Sequence, residues 1–177
     1  EMLSAVYEIA EKSTLNFVSE LIVQEPYMEE RRREEFLERY QKKSKKSLIG
    51  FCVLGSIFSE GIDLTGESLI GVLIVGTGLP QICNEREVIR EYFDRQQKKG
   101  YDYAYRYPGM NKVLQAAGRV IRTAQDTGTI LLMDERFLER ENQKLFPEEW
   151  DSYYGVNRQN YGKVLKDFWE ERRREES

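Results

Sequence analysis

The sequence predicts an α/β domain built around a mostly parallel sheet. Three observations carry that expectation. Short continuous apolar runs recur at Leu48–Leu54, in LIGVLIVGTGLP (residues 69–80) and in GTILLMDE (residues 128–135). Segments with apolar residues at helical spacing lie between them. Turns rich in glycine and serine separate the two kinds. Continuous apolar runs suit strands buried on both faces, and strands alternating with helices form parallel sheets.

Taken in order, Met2–Ile22 reads as a helix, with Leu3, Val6, Ile9, Ala10, Leu15 and Val18 at helical spacing. Beyond Pro26, MEERRREEFLERYQKK is dense in Glu/Arg pairs three and four apart, which reads as a solvated helix face. Phe36, Leu37 and Tyr40 give that helix its inward stripe. After the first apolar strand, GSIFSEGIDLTGES forms a turn into the second strand. A helix follows around Glu85–Gln97, then the aromatic stretch YDYAYRYPG, then a helix running through QAAGRVIRT (residues 115–123). Gly128 turns the chain into the third strand. A helix near Tyr161–Trp169 and a charged, solvated, frayed tail over 170–177 close the chain. No repeat or linker divides it, so 1–177 reads as one domain. It opens in mid-helix without an initiator methionine, as a fragment of a longer protein would.

Composition narrows the chemistry. The 177 residues include no histidine and only two cysteines, Cys52 and Cys83, neither in a CxxC pair. That composition argues against a zinc or iron–sulfur site held by this chain alone and excludes a histidine base from these residues. Cys52, within LIGFCVLG, reads as a small buried apolar residue in a reducing compartment. The net charge of −4 argues against nucleic-acid binding by bulk charge, though not against a local groove. No run approaches about 20 apolar residues, so no membrane span is expected. The N-terminus lacks the basic start and apolar core of a secretory signal.

The QAAGRVIRT segment is the most informative. On a helical wheel Asn111, Lys112, Gln115, Arg119 and Arg122 fall within roughly 100° of arc. Val113, Leu114, Ala116, Ala117, Val120 and Ile121 fill the other side. The nearest acid in sequence, Asp126, lies beyond the helix. Two readings stand: arginines aimed at an anion, whose oxygens their planar forks match, or a polar face paired with residues distant in sequence. SEGIDL is also open to two readings. It is a tight turn that uses Gly61, or a loop approaching a ligand while Glu60 and Asp63 hold water, ribose or magnesium. In parallel sheets ligands gather beyond the carboxyl ends of strands, where both segments fall.

Together, SEGIDL and QAAGRVIR resemble motifs V and VI of superfamily 2 helicases. GVLIVGTGLP between them, DTGTILLMDERF with its D-x-RF signature, and FPEEW after it resemble the DinG and xeroderma pigmentosum D family of 5′→3′ DNA helicases. The likeness runs from Gln24 to Trp150. It implies a three-layer, RecA-like second motor domain, with the family's first strand lying upstream of this chain. It further implies ATP bound between this domain and an N-terminal RecA-like domain of the same protein. Arg119 and Arg122 would be arginine fingers, and Gln115 a contact to the γ-phosphate or attacking water. Glu60, Gly61 and Asp63 would touch the nucleotide and couple its state to DNA.

Neither a GxxxxGK[ST] loop nor a DEAH box occurs in the sequence. The resemblance therefore assigns the triphosphate and Mg2+ mainly to the other domain, and predicts that this fragment alone hydrolyses nothing. An iron–sulfur cluster, where relatives carry one, belongs to that other half. Single-stranded and forked DNA are the implied partners, with Ser56, Ser59 and Thr77 offering hydroxyls to backbone phosphates. The tyrosines of YDYAYRYPG either stack on bases or, more simply, pack beside the sheet. The implied location is cytoplasmic, on the nucleoid in a bacterium. Non-catalytic and nuclease-fused DNA-binding modules are the rival functions.

Overall fold

The structure, a computed structural model, describes residues 18–25, 27–42, 47–56, 58, 69–123 and 125–175. The chain divides into two compact units, Glu1–Asp134 and Glu135–Ser177. The described part of the first contains two parallel strand pairs. Strand β1 (Val18–Val23) leads through helix α1 (Glu30–Gln41) to β2 (Ser47–Phe51), which pairs with it in parallel. Strand β3 (Gly71–Val75) leads through α2 (Asn84–Gln97), a π-helical turn (Asp102–Arg106) and α3 (Tyr107–Ala117) to β4 (Thr129–Met133). That pair is also parallel, with Leu73 opposite Leu131 and Val75 opposite Met133.

β1 corrects the expectation of a helix over Met2–Ile22 where that segment is described. Val18, Leu21 and Ile22 suit helical spacing, but Val18, Ile22 and Val23 are β-branched and pair with β2 through Val23–Phe51. The earlier part of that expected helix lies outside the described residues.

The first pair and α1 enclose a small core. Phe36 and Phe58 are each 5% exposed, with Ile22, Met28, Leu37, Tyr40 and Leu69 packed against them. The outer face of α1 is laced with ion pairs, among them Arg31–Glu35 at 3.0 Å and Arg32–Glu25. The solvated face read from sequence is therefore present.

The second pair is held mainly by α3, which packs on β3. Gly109, Met110, Val113, Ala116 and Ala117 are its buried residues. The aromatic stretch before it forms the π-helical turn, where Tyr103, Tyr105 and Tyr107 pack internally while Tyr101 is 47% exposed. Tyr103 stacks on Phe93 with centroids 3.9 Å apart, Tyr107 meets Tyr103 edge-on, and the Tyr105 hydroxyl donates to Glu87 at 2.5 Å. Pro108 has no N–H to return to the Ala104 carbonyl. Arg86 Nη1 donates to that carbonyl at 2.8 Å, tying α2 to the turn.

The strands are less enclosed than their apolar runs predict. In β3, Ile74 is buried at 3% exposure while Leu73 and Val75 are 66% and 53% exposed. The sheet is covered on one side among the described residues, so alternate side chains face out. β2 ends at Phe51 rather than Leu54, and the chain then turns, with the Ser56 N–H bonded to the Val53 carbonyl at 3.0 Å. Cys52 lies past the strand end and is exposed, which corrects its reading as buried.

In the second unit, 3-10 turns at Glu135–Leu138 and Glu148–Trp150 flank the short helix α4 (Arg140–Gln143). Buried Asn142 donates to the Arg136 carbonyl at 2.8 Å. In FPEEW, Phe146 packs on Trp150 and meets Tyr153 edge-on. Asn157 and Asn160 accept backbone N–H groups before α5, which runs Tyr161–Glu175 and carries the charged run in helical form.

Candidate functional site

Both strand pairs deliver their carboxyl ends to one flank of α3. Beyond β2, Gly55 adopts φ +84°, and a Cβ there would stand 2.9 Å from Lys112 Cδ and 3.0 Å from Cε. The lysine stem thus lies across the bare backbone of this turn, with Ser56 next in line. Beyond β3, Gly78 adopts φ +66°, and a Cβ would stand 2.8 Å from the Gly109 carbonyl oxygen and 3.0 Å from a Leu54 methyl. The two loops meet at Leu54–Gly78, and both rest against the first half of α3. At the end of β4, the Asp134 carboxylate comes within 4.0 Å of the corresponding position on Gly76.

Of the residues singled out from sequence, Gln115 sits exposed on α3, one turn beyond Lys112. Arg119 and Arg122 are half-buried and lie past the helix, which ends at Ala117. This corrects the helix drawn through QAAGRVIRT. The Gly118 N–H still reaches the Leu114 carbonyl at 2.8 Å; then Arg119 N bonds Ala116 O at 3.2 Å and Val120 N bonds Ala117 O at 3.1 Å. Tightening from four-residue to three-residue bonding ends the helix, and Val120, 3% exposed, anchors the chain as it leaves. Ile121, placed with the buried side on the wheel, is 47% exposed.

The turn after Val120 is closed by a residue that sequence reasoning set aside as merely the nearest acid. One Asp126 carboxylate oxygen accepts the Arg122 N–H at 2.9 Å and the Thr123 N–H at 2.8 Å. Those bonds, with the Arg122 charge as a lesser cause, hold the carboxyl below its ordinary range. The signal was present in sequence: a threonine followed three residues later by aspartate, with a glycine two residues beyond, suits a side-chain-capped turn. Arg119 and Arg122 both make further polar interactions. The picture of arginines lacking any acid is thereby revised, since Asp126 lies beside Arg122.

Thr77 is 3% exposed, and its hydroxyl has no hydrogen-bond partner among the described residues. Ser56 is half-buried in the β2 turn. Ser59, Glu60, Gly61 and Asp63 lie outside the described residues. Among the described residues, no group of three or more His, Cys, Asp and Glu side chains is placed to hold a metal ion.

A model of the helicase C-terminal domain matches residues 1–153. The chain belongs to the helicase C-terminal domain family. Within it, the chain is of the DinG and xeroderma pigmentosum D-like kind of superfamily 2. It is 31% identical over 105 residues to the ATP-dependent DNA helicase chl-1 of Caenorhabditis elegans, covering 58% of this chain and 12% of that protein. It is 27% identical over 184 residues to regulator of telomere elongation helicase 1 of Bos taurus, covering 91% of this chain and 15% of that one. A solved XPD helicase structure superposes with TM-score 0.56 at 17% identity, over 81% of this chain and 29% of that one. That likeness supports the α/β fold with its parallel strand pairs. The helicase C-terminal domain thus spans a small part of each relative's own length. No described helix is long and apolar enough to cross a membrane.

Proposed function

We propose that this helicase C-terminal domain is the second motor half of an ATP-dependent DNA helicase. Its site would close over ATP held by an N-terminal RecA-like domain of the same protein. Arg119 and Arg122 act as arginine fingers on the γ-phosphate, and Gln115 orients the phosphate or the attacking water. The observation that carries this reading is the convergence of the β2 and β3 loops on α3, directly before the turn that bears both arginines. That is where a parallel sheet presents ligands. A half-buried arginine held by its backbone is a pre-positioned cation, and such a group stabilises charge that develops on a transferred phosphoryl. Glu60, Gly61 and Asp63 sense the nucleotide, while Ser56, Ser59 and Thr77 serve the DNA backbone. For Thr77 that contact requires its loop to open, because the hydroxyl is buried.

Mg2+ accompanies ATP throughout such chemistry. The lack of a GxxxxGK[ST] loop and a DEAH box in this sequence assigns the ion mainly to the other domain, and no step here runs through it. Translocation along single-stranded DNA from 5′ to 3′, opening of forked duplexes, and a place in the cytoplasm at the DNA complete the proposal.

The test is ATP hydrolysis by the full-length protein, with and without single-stranded DNA. Wild type is expected to be stimulated by DNA. Arg119→Ala and Arg122→Ala are each expected to lose roughly 10³-fold or more in turnover while still binding nucleotide. Unchanged turnover in both variants would sink the finger assignment.

A further inference from the structure

Helix α2 is fastened along one side. Arg86 donates to the Ala104 carbonyl, Glu87 accepts from the Tyr105 hydroxyl, and Phe93 stacks on Tyr103. At the helical turn per residue these three fall within roughly 120° of arc. Diametrically opposite them run Glu85, Val88, Tyr92 and Arg95, and all four are exposed. Val88 and Tyr92, the apolar pair at the middle of this stripe, are 68% and 58% exposed. Ile82, just before the helix, is more exposed still, at 82%. Large apolar side chains one turn apart, on the free side of a helix whose other side is already occupied, mark a surface that takes a partner.

The order of charges along the stripe says which partner. Positions 85, 88, 92 and 95 are spaced three, four and three apart, the spacing of a seam between two helices. They read acid, apolar, apolar, base. A second α2 laid antiparallel, about a two-fold axis midway between Val88 and Tyr92, sets Val88 against the partner's Tyr92 and Glu85 against the partner's Arg95. By symmetry each contact occurs twice. A parallel alignment would instead set Glu85 on Glu85 and Arg95 on Arg95, so charge selects the antiparallel one. Within its own helix Arg95 lies 3.4 Å from Glu91, with the two side chains 79% and 64% exposed. A surface pair of that kind contributes little, and turning Arg95 toward a partner's carboxylate therefore costs little.

We propose that α2 is a self-association surface, covered by the α2 of a second copy of this chain in an antiparallel pair. Val88 and Tyr92 form its apolar centre, and Glu85 and Arg95 close it at both ends. The inference is independent of the motor reading and uses no residue assigned above to ATP or DNA. The 14 residues of α2 give about 21 Å of helix, or two heptads. So short a seam makes a small interface, and the association is reversible and concentration-dependent.

The test is sedimentation velocity of the full-length protein over a concentration series, without nucleotide or DNA. Wild type is expected to pass from monomer to dimer as concentration rises. Val88→Glu and Tyr92→Glu are each expected to raise the dissociation constant about tenfold or more. Glu85→Arg and Arg95→Glu each weaken the dimer several-fold, whereas the double swap recovers wild-type affinity because it exchanges the charges without removing the pair. A merely destabilised helix would not recover in this way. All four side chains are exposed, so thermal unfolding of every variant should match wild type. A wild type that stays monomeric at every concentration overturns the proposal, and α2 then meets another part of the full-length protein or a different protein. A dimer unmoved by Val88→Glu, or a double swap no tighter than either single one, overturns it as well.

Discussion

The units β1–α1–β2 and β3–α2–α3–β4 share one plan, a parallel pair joined by a helical crossover, yet they grip their helices differently. α1 buries only Phe36 and surrounds itself with ion pairs. α3 buries five residues and is met at close range by loops from both pairs. α2, which has no buried residue, is held instead through Arg86, Glu87 and the Phe93–Tyr103 stack. The element that carries Gln115 and leads into the two arginines is thus the most firmly seated in its half. The first half keeps an open cleft at its strand ends. A half whose helix is seated in this way and a half left open at its strand ends are expected to differ in local stability.

Core truncation gives the largest effects and tests that contrast directly. Met110 is 2% exposed, and Met110→Ala is expected to cost about 2–5 kcal/mol, read by thermal or chemical unfolding. Phe36→Ala should cost about 3–5 kcal/mol. In native-state hydrogen exchange its losses should fall on α1, β1 and β2, with α3 still protected. The contrast breaks if Phe36→Ala strips protection from α3 to the same degree.

Gly78→Ala ranks next. The new methyl would press on the Gly109 carbonyl at 2.8 Å while alanine strained at φ +66°. A loss of about 1–3 kcal/mol is expected, together with faster exchange in the first half of α3. Wild-type stability would mean that the β3 loop does not pin the helix.

Much of this was legible in sequence, for identifiable reasons. Gly71–Val75 and Thr129–Met133 are apolar runs with clear turn signals before them, and Asn84–Gln97 has clean helical periodicity. The convergence of strand ends follows from parallel pairing itself. What was missed depends on tertiary or capping detail. VSELIV satisfies helical and strand periods alike, and only pairing with β2 decides between them. The wheel through Gln115, Arg119 and Arg122 presupposed a helix that stops at Gly118, so their common arc came from the assumed geometry.

The smallest predicted effect concerns the turn that delivers Arg122, and it is set by pH. Asp126 accepts two backbone N–H groups in the folded chain, which lowers its carboxyl below the ordinary value. A carboxyl depressed by folding stabilises the fold at pH above its unfolded value, and that contribution disappears as pH falls through the folded value. Wild type should therefore protect the Arg122 and Thr123 amides from exchange at neutral pH and lose that protection in acid. Asp126→Ala should exchange them quickly at neutral pH and gain nothing further on acidification. Asp126→Asn, which keeps an acceptor oxygen without charge, should fall between them and lack the acid transition. If Asp126→Ala protects both amides as well as wild type does, the turn is held by buried Val120 alone. The carboxylate would then be a bystander, and the precision of this half would have to come from packing rather than from a cap.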